Sequence, residues 1–315
     1  MPLVSFIITT HNRPHLLPDA IQSARAAGTD VEIIVVDDAS TDGTAEVCRQ
    51  LEGITYIRVE RNQGTAGARN VGILASSGDY ISLLDDDDRR LPGSLEGQLK
   101  ALEAHPEAGF VCGAMIMADQ NYQPTGEISL PRQNGGDIFW DLLELDFPVM
   151  PLSTLIRKEC FLRVGLLNRR LIGIDDWDIF VRIAELYPAL VIREPVGVYR
   201  QPTPFSDQGS SARAAQLRRV ARHQLKLLKL PRVAALKATE RRAIRRRTIN
   251  RIADTLLRNA AQSLTDRDVG SVCVNTVAAL RMNPLRAVRP AAYRKFVSHL
   301  ATRVPTATHE SRSNA

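Results

Sequence analysis

Residues Asp79–Asp88 read DYISLLDDDD. Asp79–Leu84 is a short apolar run, and four consecutive carboxylates, Asp85 to Asp88, close it. A run of this kind bounded by charge predicts a buried strand with Asp85–Asp88 at its carboxyl end. Three similar runs precede it: Val4–Thr9 (VSFIIT), Val31–Val36 (VEIIVV) and Ile54–Val59. Helical patterns separate them. Leu16, Leu17, Ala20, Ile21 and Ala24 recur at helical spacing after Asn12, read as an N-cap, and Pro14 in the first turn. A short helix is expected over Ala45–Leu51, capped by Ser40, Thr41 or Asp42, and a small-residue helix over Thr65–Ser76. Strand–helix alternation predicts βαβ units and an α/β fold, a doubly wound, mostly parallel sheet flanked by helices. Continuous apolar strands fit burial on both faces.

Beyond Phe110 the pattern is mixed. Phe110–Ala118 and Ser153–Ile156 read as strands, Asp137–Leu145 and Asp175–Tyr187 as helices, and Leu190–Val198 as a closing strand pair. Gln201–Ser211, rich in Pro, Ser and Gly, marks a boundary. The remainder is helix-compatible. Ile249, Ile252, Leu256, Leu257 and Ala260 share one face, and Val269, Val272, Thr276 and Leu280 form a second stripe, both expected to be packed. The domains expected are 1–205, with halves at about 1–118 and 119–205, then a basic helical region 206–304 and a flexible tail 305–315.

Charge divides the same way. Residues 211–315 hold 23 Lys and Arg against 5 Asp and Glu, whereas residues 1–210 hold 18 against 30. One region therefore suits an anionic partner. At 44% hydrophobic and 24% charged residues, wholesale disorder is excluded. No apolar run approaches the ~18 residues of a membrane span, and the start MPLVSFIITTHNRP lacks the basic region of a secretory signal. Cys48, Cys112, Cys160 and Cys273 are too scattered for a disulfide framework or a zinc site, and read as reduced, buried thiols.

Four constellations carry candidate chemistry. The Asp85–Asp88 quartet lies where open α/β sheets bind ligands, outside the strand carboxyl ends. Its mutual repulsion is relieved by a hard divalent cation; a solvated turn or helix cap is the plainer reading, and applies best to Asp88. Asp37 and Asp38, again at a strand end, are placed to accept hydrogen bonds from a base or ribose, while Ser40, Thr41 and Asp42 read as caps. Asn62–Asn70 (NQGTAGARN) joins strand to helix with small residues but has neither GxGxxG nor GxxxxGK[ST]. Its Arg69 faces an anion or simply solvent. Asp175 and Asp176 open a helix, where they serve equally as dipole partners or, for one of them, as a general base.

Together, VSFIITTHNRPHLLPDAIQS, VVDDASTDGT, NQGTAGARNVGI, YISLLDDDD followed by LPGSL, and IDDWDIFVRI resemble the successive motifs of the family-2 glycosyltransferases over residues 3–200. The resemblance implies a GT-A fold, a nucleotide-sugar donor, a divalent metal (Mg²⁺ or Mn²⁺) and inversion at the anomeric carbon. It places Thr9 and Asp38, with neighbouring Asp37, at the base, and Arg69 near the nucleotide. Asp85 and Asp87 match the ends of the DxD motif, Asp87 as the more direct metal ligand, and Asp86 sits at a ribose-contacting position. The family's Glu-Asp pair stands here as Asp175-Asp176, with Asp176 at the catalytic base and Asp175 and Trp177 on the acceptor side. Val198–Thr203 lacks the His found there in many members, and QxxRW of processive members is absent, which argues for single addition.

The expectation is an inverting, metal-dependent transferase that moves one sugar to a carbohydrate or lipid-linked hydroxyl, in surface-polysaccharide or glycolipid assembly. It is expected in the cytoplasm, with the basic helices held peripherally to the anionic inner face of the membrane, covering the catalytic domain, or forming a homodimer. A non-catalytic nucleotide-sugar-binding protein is the alternative. Nucleic acid is not an expected partner, because aromatic content is only 5% and no base-stacking pattern is present.

Overall fold

The computed structural model describes residues 4–131, 134–201, 210–265 and 267–287. The chain divides into two compact units, residues 1–207 with 222–241, and residues 208–221 with 242–315.

The first unit is built on ten strands: β1 Val4–Thr10, β2 Val31–Asp37, β3 Thr55–Arg58, β4 Tyr80–Asp85, β5 Arg89–Arg90, β6 Phe110–Ala118, β7 Pro124–Ser129, β8 Gly135–Gly136, β9 Thr154–Arg157 and β10 Ala189–Arg200. The sheet runs β3-β2-β1-β4-β9-β6-β10-β5, with β7 on β6 and β8 on β10. β3, β2, β1 and β4 are parallel, and β9 runs antiparallel between β4 and β6. β1 is buried along its whole length and β4 except at its last residue, which explains their continuous apolar sequence. The register pairs Thr9 with Asp85 and Thr10 with Asp37, so three strand ends converge.

Helices α1 Leu17–Ala26, α2 Thr44–Gln50, α3 Gly64–Ala75, α4 Leu95–Ala104, α5 Phe139–Leu143, α6 Lys158–Val164 and α7 Asp175–Leu186 accompany the sheet. α1 buries Leu17, Ala20, Ile21 and Ala24, the face its spacing predicts, against Phe6, Ile8 and Leu84. α3 approaches β1 closely at Gly72, where an added Cβ would lie 2.3 Å from an Ile7 methyl.

Three local expectations are corrected. Asn12 does not cap α1. It adopts φ 55° in the preceding turn, its N–H donates to Ser40 Oγ, and its side-chain carbonyl accepts the Thr41 N–H. Asp42 alone of its three candidates supports α2, accepting from the Thr44 N–H and hydroxyl. The closing strand pair is one strand, β10, with register shifts around Pro195, whose ring nitrogen cannot donate to the ladder.

Residues 222–241 of the first unit hold the last part of α8 (Ser210–Leu227), α9 (Pro231–Ala234) and the start of α10 (Ala238–Thr265). The second unit holds the rest of α8 and α10, with α11 Val269–Met282 and α12 Pro284–Ala287. In α10, Ile252, Leu256 and Ala260 are buried as expected. The α11 stripe is not. Val269 is 68% exposed and Leu280 40%, while Ser271, Asn275, Ala278 and Ala279 face inward. The thiol expectation also changes: three cysteines are buried, but Cys273 on α11 is exposed. The expected tail, 305–315, lies outside the described residues.

Candidate active site

β4 ends at Asp85, and a turn closed by the Asp88 N–H to Asp85 carbonyl bond carries the rest of the quartet. One carboxylate oxygen each of Asp85, Asp87 and Asp88 lies within 4.8 Å of the others. Asp86 points elsewhere: it accepts from the Thr10 hydroxyl at 2.7 Å and from Arg13 at 3.0 Å. Arg13 also donates to Asp87 at 2.9 Å. These contacts do not balance the charge. Burial pushes Asp86 up to about 7 against the pull of Arg13 and Thr10. Burial and the charge of Asp85 raise Asp87, and with Asp87 added they raise Asp88 well above the carboxylate range. A cluster of hard oxygens short of positive charge fits Mg²⁺ or Mn²⁺. Asp88, read from sequence as a plain turn residue, belongs to this cluster.

Arg69, on α3, links this cluster to a second one. Its buried guanidinium is 2.6 Å from Asp85 Oδ1 and 3.6 Å from Asp175 Oδ2. Burial opposes the arginine's charge, but Asp85 and Asp175 outweigh it and hold Arg69 protonated. Asp175 Oδ2 has no hydrogen-bond partner although it is buried. Gly173, at φ 72°, lets the chain turn into α7, so Asp175 and Asp176 stand in its first turn. Asp176 is half-buried, and its Oδ1 accepts the Trp177 N–H at 2.7 Å. Burial, then the neighbouring charge of Asp175, raise it to about 6. A carboxylate tuned near neutrality is suited to accept a proton from a hydroxyl.

The α7 terminus is braced from behind. The Trp177 indole N–H donates to the Leu142 carbonyl at 2.8 Å. Asp178 lies 2.6 Å from His223 of α8 and accepts from Arg182 at 2.8 Å. Gln224 donates to the Leu143 carbonyl at 3.0 Å.

At the end of β2, Asp37 is fully buried; it accepts the Ser40 N–H and the Tyr56 hydroxyl, each at 2.8 Å. Asp37 thus organises its own turn. Asp38 accepts the Gln63 N–H at 2.7 Å, tying the β2 end to the loop before α3. Thr9 is buried on β1 beside both strand ends.

Sequence reading missed Thr10, Arg13 and Arg200 as neighbours of the acidic cluster. The Arg200 N–H, at the end of β10, donates to Asp88 Oδ1 at 3.0 Å, and its guanidinium stacks 5.3 Å from the Tyr122 ring. Arg13 stands in the loop at the β1 carboxyl end, a position that could have marked it.

A mixed sheet whose parallel part ends in an acidic cluster on β4, together with a helix that opens on two aspartates, gives the chain a GT-A type of fold. The structure resembles Staphylococcus aureus TarS (TM-score 0.59, 14% identity, 95% of this chain and 91% of that one). It also resembles the mannosyltransferase PcManGT from Pyrobaculum calidifontis (TM-score 0.58, 20% identity, 96% and 81%), solved with GDP-Man and Mn²⁺. Residues 5–157, just under half of the chain, match Glycosyl transferase family 2. It is 29% identical over 186 residues to an uncharacterized glycosyltransferase of Haemophilus influenzae, covering 58% of this chain and 62% of that protein. It is 35% identical over 122 residues to the succinoglycan biosynthesis protein ExoO of Rhizobium meliloti (38% and 33%). It is 34% identical over 122 residues to TuaG of Bacillus subtilis, a putative teichuronic acid biosynthesis glycosyltransferase (37% and 48%). The chain thus spans 62% of the first relative and a third to a half of the other two. No helix among the described residues is long and apolar enough to cross a membrane.

Proposed function

We propose that this chain transfers a single sugar from a nucleoside-diphosphate sugar to a hydroxyl acceptor with inversion, in polysaccharide or glycolipid assembly. The observation that carries the reading is Arg69, a buried cation spanning Asp85 of the acidic cluster and Asp175 beside Asp176. It supports a site in which donor and acceptor carboxylates work in one geometry.

On this reading Thr9 and Asp38 border the base, Asp37 acts through the turn it holds by its bonds to the Ser40 N–H and the Tyr56 hydroxyl, and Asp86 lies toward the ribose. Asp85 and Asp87, joined by Asp88, would hold Mg²⁺ or Mn²⁺, which when bound offsets charge on the departing diphosphate. Arg69 fixes the Asp85 carboxylate, and Arg13 and Arg200 add positive charge at the rim. Asp176 removes the acceptor hydroxyl's proton as that oxygen attacks the face opposite the leaving group. Asp175 and Trp177 shape the acceptor side. One displacement inverts the configuration, and no carboxylate nucleophile is required.

The names of ExoO and TuaG support a polysaccharide setting, and the ligands of TarS (UDP-GlcNAc) and PcManGT (GDP-Man, Mn²⁺) support the donor class. The test is a panel of UDP-, GDP- and dTDP-sugars monitored for nucleoside diphosphate release, with Mn²⁺, with Mg²⁺ and with chelator. Release from one donor, abolished by chelator, is the expected result. No release from any donor, in a protein that binds a nucleoside diphosphate, would favour the non-catalytic alternative.

A further inference from the structure

α11 is inverted relative to an ordinary amphipathic helix. Its small and polar residues, Ser271, Asn275, Ala278 and Ala279, face inward. Val269, Cys273, Val274, Val277 and Leu280 lie on the opposite side, within a single arc of the helix, and are exposed. Val277 is 45% exposed and Leu280 40%, values unusual for a run of aliphatic side chains on one helix face. Leu285, just beyond on α12, is 73% exposed and extends the face.

We propose that this face of α11 is a docking surface for an anionic lipid bilayer, its aliphatic side chains entering the headgroup boundary while the surrounding arginines meet the phosphates. Charge selects this occupant. The unit that carries α11, residues 208–221 with 242–315, holds 17 Lys and Arg against 4 Asp and Glu. Arg281 lies on the exposed arc itself, and Arg267 is exposed one residue before Asp268, whose carboxylate is engaged in capping the helix through the Ser271 N–H. A second copy of this chain would bring the same positive unit against itself, so like charges oppose pairing through this face. Nucleic acid has the right sign but is matched by stacking aromatics, and residues 210–287 contain no Phe, Tyr or Trp. Apolar side chains with adjacent basic charge are the combination that binds an anionic membrane at its interface. Electrostatics alone need no exposed valines; this surface has both.

Cys273 supplies the probe. It is the exposed cysteine, and Cys48, Cys112 and Cys160 are buried, so a polarity-sensitive maleimide dye on the folded full-length chain reports the centre of the face. With vesicles of phosphatidylcholine and phosphatidylglycerol (3:1) at 50 mM salt, the dye emission is expected to shift to the blue and the protein to sediment with lipid. Pure phosphatidylcholine vesicles should do neither. Raising salt to 500 mM should weaken binding at least tenfold. Val277→Asp with Leu280→Asp should also weaken it at least tenfold, and Val277→Ser with Leu280→Ser should do so by a smaller factor without adding charge. Circular dichroism and melting temperature establish that each variant is folded. Sedimentation unchanged in both folded variants, or binding without a dye shift, would overturn the proposal in favour of purely electrostatic attachment. A lipid-free dimer that the variants dissolve would assign the face to a second copy and overturn it as well. No donor is present, so failure here leaves the transferase reading untouched, and absence of nucleoside diphosphate release leaves this one untouched.

Discussion

Asp87→Asn keeps the side chain's shape and removes one charge from a cluster in which burial and neighbouring carboxylates already raise Asp86 and Asp88. Transfer should fall at least ~10²-fold and donor affinity should weaken, because the diphosphate would meet an undercharged site. Nucleoside diphosphate release and titration calorimetry read both; full, chelator-insensitive activity would remove Asp87 from the metal assignment. Asp176→Asn separates chemistry from binding. Losing a general base costs roughly 10²–10⁴-fold, so turnover should drop on that scale while donor affinity holds. On the proposed mechanism Asp176 must be ionised in the unmutated protein, and burial holds it at about 6. kcat/KM should therefore fall below pH ~6, about tenfold per pH unit, and lie flat above it. A profile without that limb, or an equal loss of donor affinity in the variant, would place Asp176 elsewhere in the reaction.

At the scale of elements, α7 delivers Asp176, and its back face rests on α8 through His223, Asp178 and Arg182. His223 and Arg182 hold the Asp178 carboxyl below its usual range although burial pushes it up. That contribution is fully present above the unfolded pKa near 4 and is lost as pH falls from there through the lower folded value. His223→Ala leaves a buried carboxylate with one partner and should cost about 2 kcal/mol in unfolding free energy. If His223 also positions α7, kcat should fall with little change in donor affinity, and His223→Gln should restore part of it. A stability loss with unchanged kcat would make the contact purely structural. The same packing logic explains Gly72, where any side chain would push α3 away from Ile7 and tilt the helix that carries Arg69.

For the molecule as a whole, the acidic cluster makes stability depend on pH and on cations together. Asp86 sits at about 7 and Asp88 well above its usual value, so the fold keeps protons that the unfolded chain releases near pH 4. Between about pH 4 and 7 the native state binds more protons, and the cation-free protein should gain stability as pH falls across that window. On the proposed function a divalent cation would supply the missing charge instead. Mn²⁺ should therefore raise the melting temperature by several degrees at pH 8 and by less at pH 5.5, and Asp87→Asn should shrink the pH 8 effect. Equal shifts at both pH values, or none at pH 8, would separate the cation from the cluster.

The parallel half of the sheet was legible residue by residue. β1, β2 and β4 are apolar runs because strands covered on both faces leave a continuous mark in the sequence, and the carboxylates that end β2 and β4 mark the ligand edge. The DDDD and IDDWD motifs likewise announced the two acidic groups, since their chemistry is local. The cations between them left no such mark. Arg69 meets Asp85 across 16 residues and Arg13 meets Asp86 across 73, and the backbone N–H of Arg200 meets Asp88 across 112. Those pairings follow from strand order, which brings separate loops to one sheet edge. α11 shows the same division: its periodicity announced a helix, but a stripe has two sides, and only the packing of neighbouring helices decides which one is covered. Local pattern determined the elements and their charged ends; tertiary structure decided the partners, because contact depends on topology rather than on spacing along the chain.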